Sequence, residues 1–202
     1  WSTLSLFSLF ITCRVCDAIY ILDRLFKPPY DIQPDTLHAD TQGQSRPVFA
    51  LSYLLGIKLM PRIRNWKDYT FVRPSADITY SYIDPLFTDI VNWNLIKTHW
   101  YDMMRVVLSI KAGKVMPSTL LRKLNSYSKK NRLYQAFLEL GKAVRTMFLL
   151  DYISDVRMRQ EINAITNIVE TYHSFLDWVF FGKQGVITEN DLFGTRKTVK
   201  VP

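Results

Sequence analysis

Cysteine is scarce: the 202 residues hold two, Cys13 and Cys16, in a single C-x-x-C. A tetrahedral structural zinc needs four suitable ligands. No second cysteine pair exists, and His38, His99 and His173 fall at spacings that do not help. A structural zinc is thereby the poorer reading, and two reduced thiols in a cytosolic protein fit better. Long apolar runs are missing as well. Leu4 to Ile11 is interrupted by Ser5 and Ser8 and ends at Thr12, Cys13 and Arg14, well short of the roughly 20 apolar residues that span a bilayer. It lacks the basic residues before and the small residues after that a signal peptide carries. The run reads as a core strand or helix, and a start at Trp1 without Met reads as a piece of something longer. Internal repeats and low-complexity tracts are absent too, and no clear linker divides the chain.

What is present is enough apolar material for a core, 48% of residues, in a length that suits one large domain or two small ones. One domain with a long helical insert is the expectation. The 26 Lys and Arg against 18 Asp and Glu give a formal charge of +8. That balance favours a polyanionic partner such as nucleic acid. Basic residues cluster at Arg62 and Arg64, at Lys111 and Lys114, at Arg122 and Lys123, and at Lys129, Lys130 and Arg132, with Tyr127 and Tyr134 between them. Phosphate contacts from such clusters are salt-sensitive and indifferent to base sequence. Any one of them is equally well read as a solvated helix face.

Hydrophobic spacing predicts a mixed chain, with strands early and helices later. Ala18 to Leu22 reads as a buried strand ending at Asp23, and Pro28-Pro29 forces a loop. Thr36 to Ala39 is a second strand, followed by a turn at Gly43 and a helix from Ser45 to Leu55, with Ser45 as N-cap, Pro47 just inside and Gly56 closing it. Ile57 to Ile63 returns as strand or extended chain. Further helices are expected at about Leu86 to Val91, Leu95 to Ala112, Thr119 to Leu124, Leu133 to Leu150 and Val156 to Phe181.

Two carboxylates stand out against this outline. Asp40 falls at the carboxyl end of the Thr36 to Ala39 strand, the edge at which open α/β sheets bind ligands and metals; a solvated strand-turn aspartate is the plainer alternative. Glu170 lies within the last helix, where Ile162, Ile165, Val169, Tyr172, Leu176 and Val179 define a buried stripe. Asn163, Thr166, Asn167, Glu170, His173, Ser174 and Asp177 fill another face, as expected for a wet cleft, with a surface glutamate as the plainer alternative.

The segments around the two acids carry a family resemblance. The run from Asp31 to Ser45, Tyr53-Leu54-Leu55-Gly56 and Met60-Pro61-Arg62-Ile63-Arg64 closely resembles replicative transposases of the Tn-three family (TnpA type). Ser109-Ile110-Lys111-Ala112-Gly113, Leu121-Arg122-Lys123-Leu124, Asn131-Arg132-Leu133 with Ala136-Phe137, and Thr166-Asn167 running into Glu170 are similar in the same order. The resemblance covers about Ala18 to Asn190, and an ordered series of motifs is far more specific than any one of them.

It implies a truncated RNase H-like α/β core, with residues 1–202 a partial DDE catalytic domain and a mostly helical insert over about 69–154. By matching motifs Asp40 is the second acid and Glu170 the third, 130 residues apart. The family's three acids bind divalent metal, two Mg²⁺ (or Mn²⁺) ions roughly 3.5 to 4 Å apart that activate the attacking oxygen and stabilise the leaving one. Carboxylates suit this because Mg²⁺ is a hard cation that prefers oxygen. The implied reaction is cleavage at the terminal inverted repeats followed by strand transfer to target DNA, by a bacterial, cytoplasmic, nucleoid-associated protein that is a homodimer at full length. Arg62, Arg64, Lys111, Arg122, Lys123 and Lys130 are candidate phosphate contacts on the ground of charge. His99, beside Trp100, is read as a packed structural histidine. Only 39 residues precede Asp40, and Asp17, Asp23, Asp31 and Asp35 lie outside the family's first-acid motif. The metal site is therefore expected to lack its first acid and the fragment alone to be inactive. Two other readings stand beside it: a remnant that only binds DNA or a partner transposase, and an unrelated helical interaction protein.

Overall fold

A computed structural model describes residues 22–23, 34–39, 41–64, 69–126, 131–179, 186–188 and 198–200. The chain divides into two compact units, Trp1–Ile162 and Asn163–Pro202.

The first unit begins with a parallel β-α-β element. Strand β1 (Thr36–Ala39) and strand β2 (Lys58–Pro61) pair in register, Thr36 opposite Lys58 and Ala39 opposite Pro61. Pro61 has no N–H to give a ladder and sits where the strand ends. Helix α1 (Arg46–Leu55) makes the crossover that parallel neighbours require. Ser45 takes the extended conformation of an N-cap and Pro47 lies in the first turn, as expected. The cap is made by the Ser45 carbonyl, which accepts from Val48 and Phe49 N–H at 3.1 Å each, and its hydroxyl makes no capping hydrogen bond. Gly56 closes the helix at φ 84°, the left-handed conformation in which a side chain is strained.

Strand β3 (Phe71–Arg73) pairs in parallel with strand β4 (Phe87–Ile90). Here the sequence expectation is corrected: Leu86 to Val91 was expected as helix and is mostly strand. Asp84 and Pro85 instead open a single 3₁₀ turn, Asp84–Leu86. The Asp84 carboxylate is held by Arg73 at 2.8 Å and by the Tyr80 N–H at 3.0 Å. Phe87 then packs on Phe71 and stacks on Tyr80 at ring-centroid distances of 5.6 and 4.5 Å. Six apolar-rich residues do not tell strand from helix by period alone; these long-range contacts do.

Helices α2 (Trp93–Lys111), α3 (Pro117–Ser126) and α4 (Arg132–Ser154) follow, close to the expected positions. Asn92 and Asn131 cap α2 and α4, accepting from Leu95 and Tyr134 N–H. Helix α4 is the hub: α1 and α2 both pack on it, and Phe49 of α1 meets Phe148 at 5.5 Å. The core holds Phe49, Leu51, Met103, Ile110, Phe137 and Leu149, each at most 1% exposed. Leu22 is fully buried, and Leu22 and Asp23 are helical. The end of the expected Ala18 to Leu22 strand is thereby corrected; its other residues lie outside the described ones, as do Cys13 and Cys16.

Helix α5 (Val156–Val179) starts in the first unit, where Asp155 accepts from Arg157 and Met158 N–H and caps it. Ile162 is buried. In the second unit the expected buried stripe is corrected, since Val169 and Tyr172 are exposed by 45% and 43%. Periodicity marks which residues share a helix face, not that anything covers it. The second unit ends in an antiparallel pair, β5 (Val186–Thr188) with β6 (Thr198–Lys200).

The chain is thus a mixed helix and strand protein, with mostly helical content and three two-stranded pairs among the described residues. Residues 69–154 hold β3, β4, α2, α3 and α4.

Candidate functional site

The carboxyl edge of the β1-β2 pair gathers the first group of site residues. The Arg62 N–H donates to the Ala39 carbonyl at 2.9 Å, so Arg62 leaves the sheet beside the residue that precedes Asp40. Gln44 donates its side-chain amide to the Arg62 carbonyl, tying the turn after β1 to the chain after β2. Arg62 is half-buried and Arg64 exposed. Asp40 itself lies outside the described residues. The start of α1 brings Arg46 in just after this turn.

Glu170 lies on the exposed surface of α5 in the second unit. Thr171 donates its hydroxyl to the Asn167 carbonyl at 2.8 Å, and Ser174 donates to the Glu170 carbonyl at 3.0 Å. Of the expected polar face, Asn163, Asn167, Glu170 and Ser174 are exposed and Thr166 is half-buried. Nothing is described of the His173 and Asp177 side chains. Among the described residues no three His, Cys, Asp or Glu side chains come together as a metal-holding group.

The remaining basic candidates are spread over the helices. Lys111 ends α2, and Arg122 and Lys123 lie on α3, all three exposed. Lys130 is outside the described residues. His99 faces Asp102 on its own helix at 3.8 Å and is 20% exposed.

Three charged groups carry no signal of their own in the sequence. His38 on β1 meets Glu161 of α5 at 3.7 Å. Burial holds the His38 imidazole below its ordinary pKa, against the opposing pull of Glu161. Lys142 of α4 is gripped by Asp89 at 2.8 Å and Glu139 at 2.7 Å. Its pKa is raised: burial, the largest effect, acts the other way and is outweighed by the two carboxylates. Arg145, one turn after Gly141, lies with its guanidinium 5.6 Å over the Tyr69 ring. The only trace these leave in the sequence is a cation or acid set inside an otherwise apolar helix or strand.

Comparison with known proteins gives this arrangement its context. Residues 2–201 match the family described as Tn3 transposase DDE domain. The transposase of transposon Tn501 from Pseudomonas aeruginosa is 37% identical over 179 residues, 89% of this chain and 18% of that protein. The Tn21 transposase from Escherichia coli is 36% identical over 173 residues, 86% of the chain and 18% of its own length. The Tn1546 transposase from Enterococcus faecium is 34% identical over 176 residues, 87% and 18% in the same terms. A family match over residues 2–201, with relatives aligned over 86–89% of the chain, marks a DNA transposase segment of the DDE class. The chain belongs to the Tn3 transposase DDE domain family. It spans about a fifth of the length of the curated relatives it matches. No described helix is long and apolar enough to cross a membrane.

Proposed function

We propose that this chain is part of the catalytic domain of a DDE transposase that cuts DNA at transposon terminal inverted repeats and joins the freed ends to target DNA. The observation that carries the reading is the β1-α1-β2 unit, whose carboxyl edge ends at Ala39 with Arg62 hydrogen-bonded to it. A strand end of this kind is where an α/β sheet holds a ligand. The unit suits an RNase H-like core, with residues 69–154 as its insert. Asp40 and Glu170 would hold the divalent cation, since carboxylate oxygens are the donors that Mg²⁺ or Mn²⁺ prefers. When bound, paired ions would supply an activated attacking oxygen and a stabilised leaving oxygen. Arg62 and Arg64 would neutralise backbone phosphates beside that edge, and Lys111, Arg122, Lys123 and Lys130 would extend the contact along the DNA. The first acid, and the second copy of a homodimer, would be contributed from outside this chain, in the cytoplasm of a bacterial cell. On this reading the segment alone is inactive.

The test is a full-length transposase carrying this segment, assayed for end cleavage and strand joining with Mg²⁺ or Mn²⁺. Asp40→Asn and Glu170→Gln should each abolish both steps and leave binding to the terminal repeats intact. Cleavage at the parent rate in either variant would overturn the assignment of that acid. Salt-dependent DNA binding by the parent, with no cleavage, would instead select a remnant that only binds DNA.

A further inference from the structure

The start of α1 and the middle of α4 approach so closely that only glycine fits between them. A Cβ added at Gly141 would lie 1.9 Å from the Arg46 carbonyl oxygen and 3.0 Å from the Arg46 Cα. Arg145 follows Gly141 by four residues, so it lies one turn along the same face of α4. The fold thereby forces two guanidinium-bearing residues, Arg46 and Arg145, into one neighbourhood.

The Arg145 stem is half-buried and its Nε is fully buried, with no hydrogen-bond partner among the described residues. A buried donor without an acceptor is destabilising, the more so when it is charged. Among the described residues no carboxylate forms an ion pair with Arg145. Asp89 and Glu139 both close on Lys142, and Glu139 also accepts the Asn92 N–H at 3.0 Å. The half-buried Tyr69 ring face lies against the Arg145 guanidinium, an attraction weaker than a carboxylate partner would give. Burial, and after it the charge of Arg46, push the Arg145 guanidinium below its ordinary pKa, although arginine stays protonated throughout. Two like charges share this neighbourhood, and of the two only Arg46 feels a nearby carboxylate, Asp89, so an anion beside the pair is favoured.

Its chemistry is specific. A guanidinium is a planar fork that matches two oxygens of one phosphate, and two forks supply more donors than a phosphodiester can use. Side chains supply the donors here, since the Val48 and Phe49 N–H of the first helical turn already go to the Ser45 carbonyl. We propose that Arg46 and Arg145, seated across the α1-α4 contact at Gly141, form a phosphate site that clamps one phosphodiester of bound DNA close to the β1-β2 edge. The site rests on the reading of the chain as a DNA-binding transposase segment and adds two contacts to those that charge clustering alone suggests. Tyr69 is the platform that orients the Arg145 fork.

The experiment uses a full-length transposase carrying this segment and a duplex without transposon ends, with affinity followed against salt by fluorescence anisotropy. Each phosphate contact contributes about 0.9 to the slope of log K against log salt. Arg145→Met keeps the packed stem, and it should weaken binding and flatten that slope by about one. Arg46→Gln should do the same, the double variant should lose no more than either alone, and neither single variant should melt below the parent. If Arg145→Met fails to fold, Arg46→Gln reports alone, because only the Arg46 backbone makes the close contact with α4. An unchanged slope in a parent that binds DNA overturns the clamp and leaves the transposase reading standing. A parent that does not bind DNA overturns both. Inorganic phosphate serves as the second arm: if it raises the melting temperature of the parent but not of Arg145→Met, while the DNA slopes stay equal, the site takes the free anion and the DNA assignment falls.

Discussion

Nε2 of His38 lies 3.7 Å from Oε1 of Glu161, so the third residue of β1 meets the second turn of α5 within the first unit. The other ring nitrogen, Nδ1, is buried and has no partner among the described residues. Burial lowers the His38 pKa from 6.5 more than Glu161 raises it. In the window below 6.5 the unfolded chain therefore binds more protons than the folded one, so stability rises with pH there. Conversely, acidification through 6.5 removes stability until the folded imidazole itself protonates. His38→Gln should flatten this dependence. Glu161→Gln removes the one raising influence, so its folded pKa drops further and the loss should extend to lower pH. Urea unfolding midpoints taken about one unit above and below the ordinary histidine pKa check both; an equal slope in the parent and His38→Gln would show that another group titrates.

Gly141→Ala separates helix propensity from close packing. In an exposed helix interior, alanine gains about 1 kcal/mol over glycine. At Gly141 the added carbon collides with backbone, the Arg46 carbonyl at 1.9 Å, which no rotamer change relieves. Overpacking of this kind costs about 1–3 kcal/mol and occasionally more. Net destabilisation of the α1-α4 contact is the expected outcome, read as a lower denaturant midpoint. Gly113→Ala is the control: nothing lies within 4 Å of its added carbon, but its φ of 68° is left-handed. Its cost should be about 1–2 kcal/mol, from backbone strain alone.

Asp23 is a cap supplied from far along the chain. Its carboxylate accepts the Ser118 N–H at 2.8 Å and the Ser118 hydroxyl, at the start of α3. Asp23 is 7% exposed and Ser118 half-buried, so losing the carboxylate strands a partly buried N–H. Asp23→Ala should cost about 1–3 kcal/mol and Asp23→Asn distinctly less, because the amide oxygen still accepts. Ser118→Ala removes only the hydroxyl partner and should fall between the parent and Asp23→Ala in thermal melting.

These contacts also show which parts of the fold were legible in the sequence. The strand Thr36–Ala39, helix α1 with Gly56 behind it, and the approximate positions of α2 and α4 follow from signals within a few residues of each other, and the structure has them. Strand β4 does not, because Phe87 is placed by Phe71 and Tyr80, and Asp84 by Arg73, partners that no local window contains. The exposed stripe of α5 failed for the related reason that spacing defines a face and not its cover. Glu170 was singled out by motif, and its surface position fits either a ligand or a solvated acid. Arg145 was passed over because the features that mark it, Gly141 against Arg46 and an unanswered Nε, are tertiary.

Thr146 tests whether the β3 edge is held by a hydrogen bond or by packing. Its hydroxyl accepts the Val72 N–H at 3.1 Å and donates to the Lys142 carbonyl at 2.9 Å, at a residue only 5% exposed. Thr146→Val keeps the shape but leaves the Val72 N–H buried without an acceptor, a loss of about 1–3 kcal/mol. Thr146→Ser keeps the acceptor and deletes a methyl, which costs about 1 kcal/mol with its small cavity. If the hydrogen bond is the larger contribution, Thr146→Val unfolds at lower denaturant than Thr146→Ser, and amide exchange at Val72 speeds up only in the valine variant. The reverse order would assign the contact to packing. In that case β3 would be held chiefly by the Phe71 and Phe87 rings rather than by its link to α4.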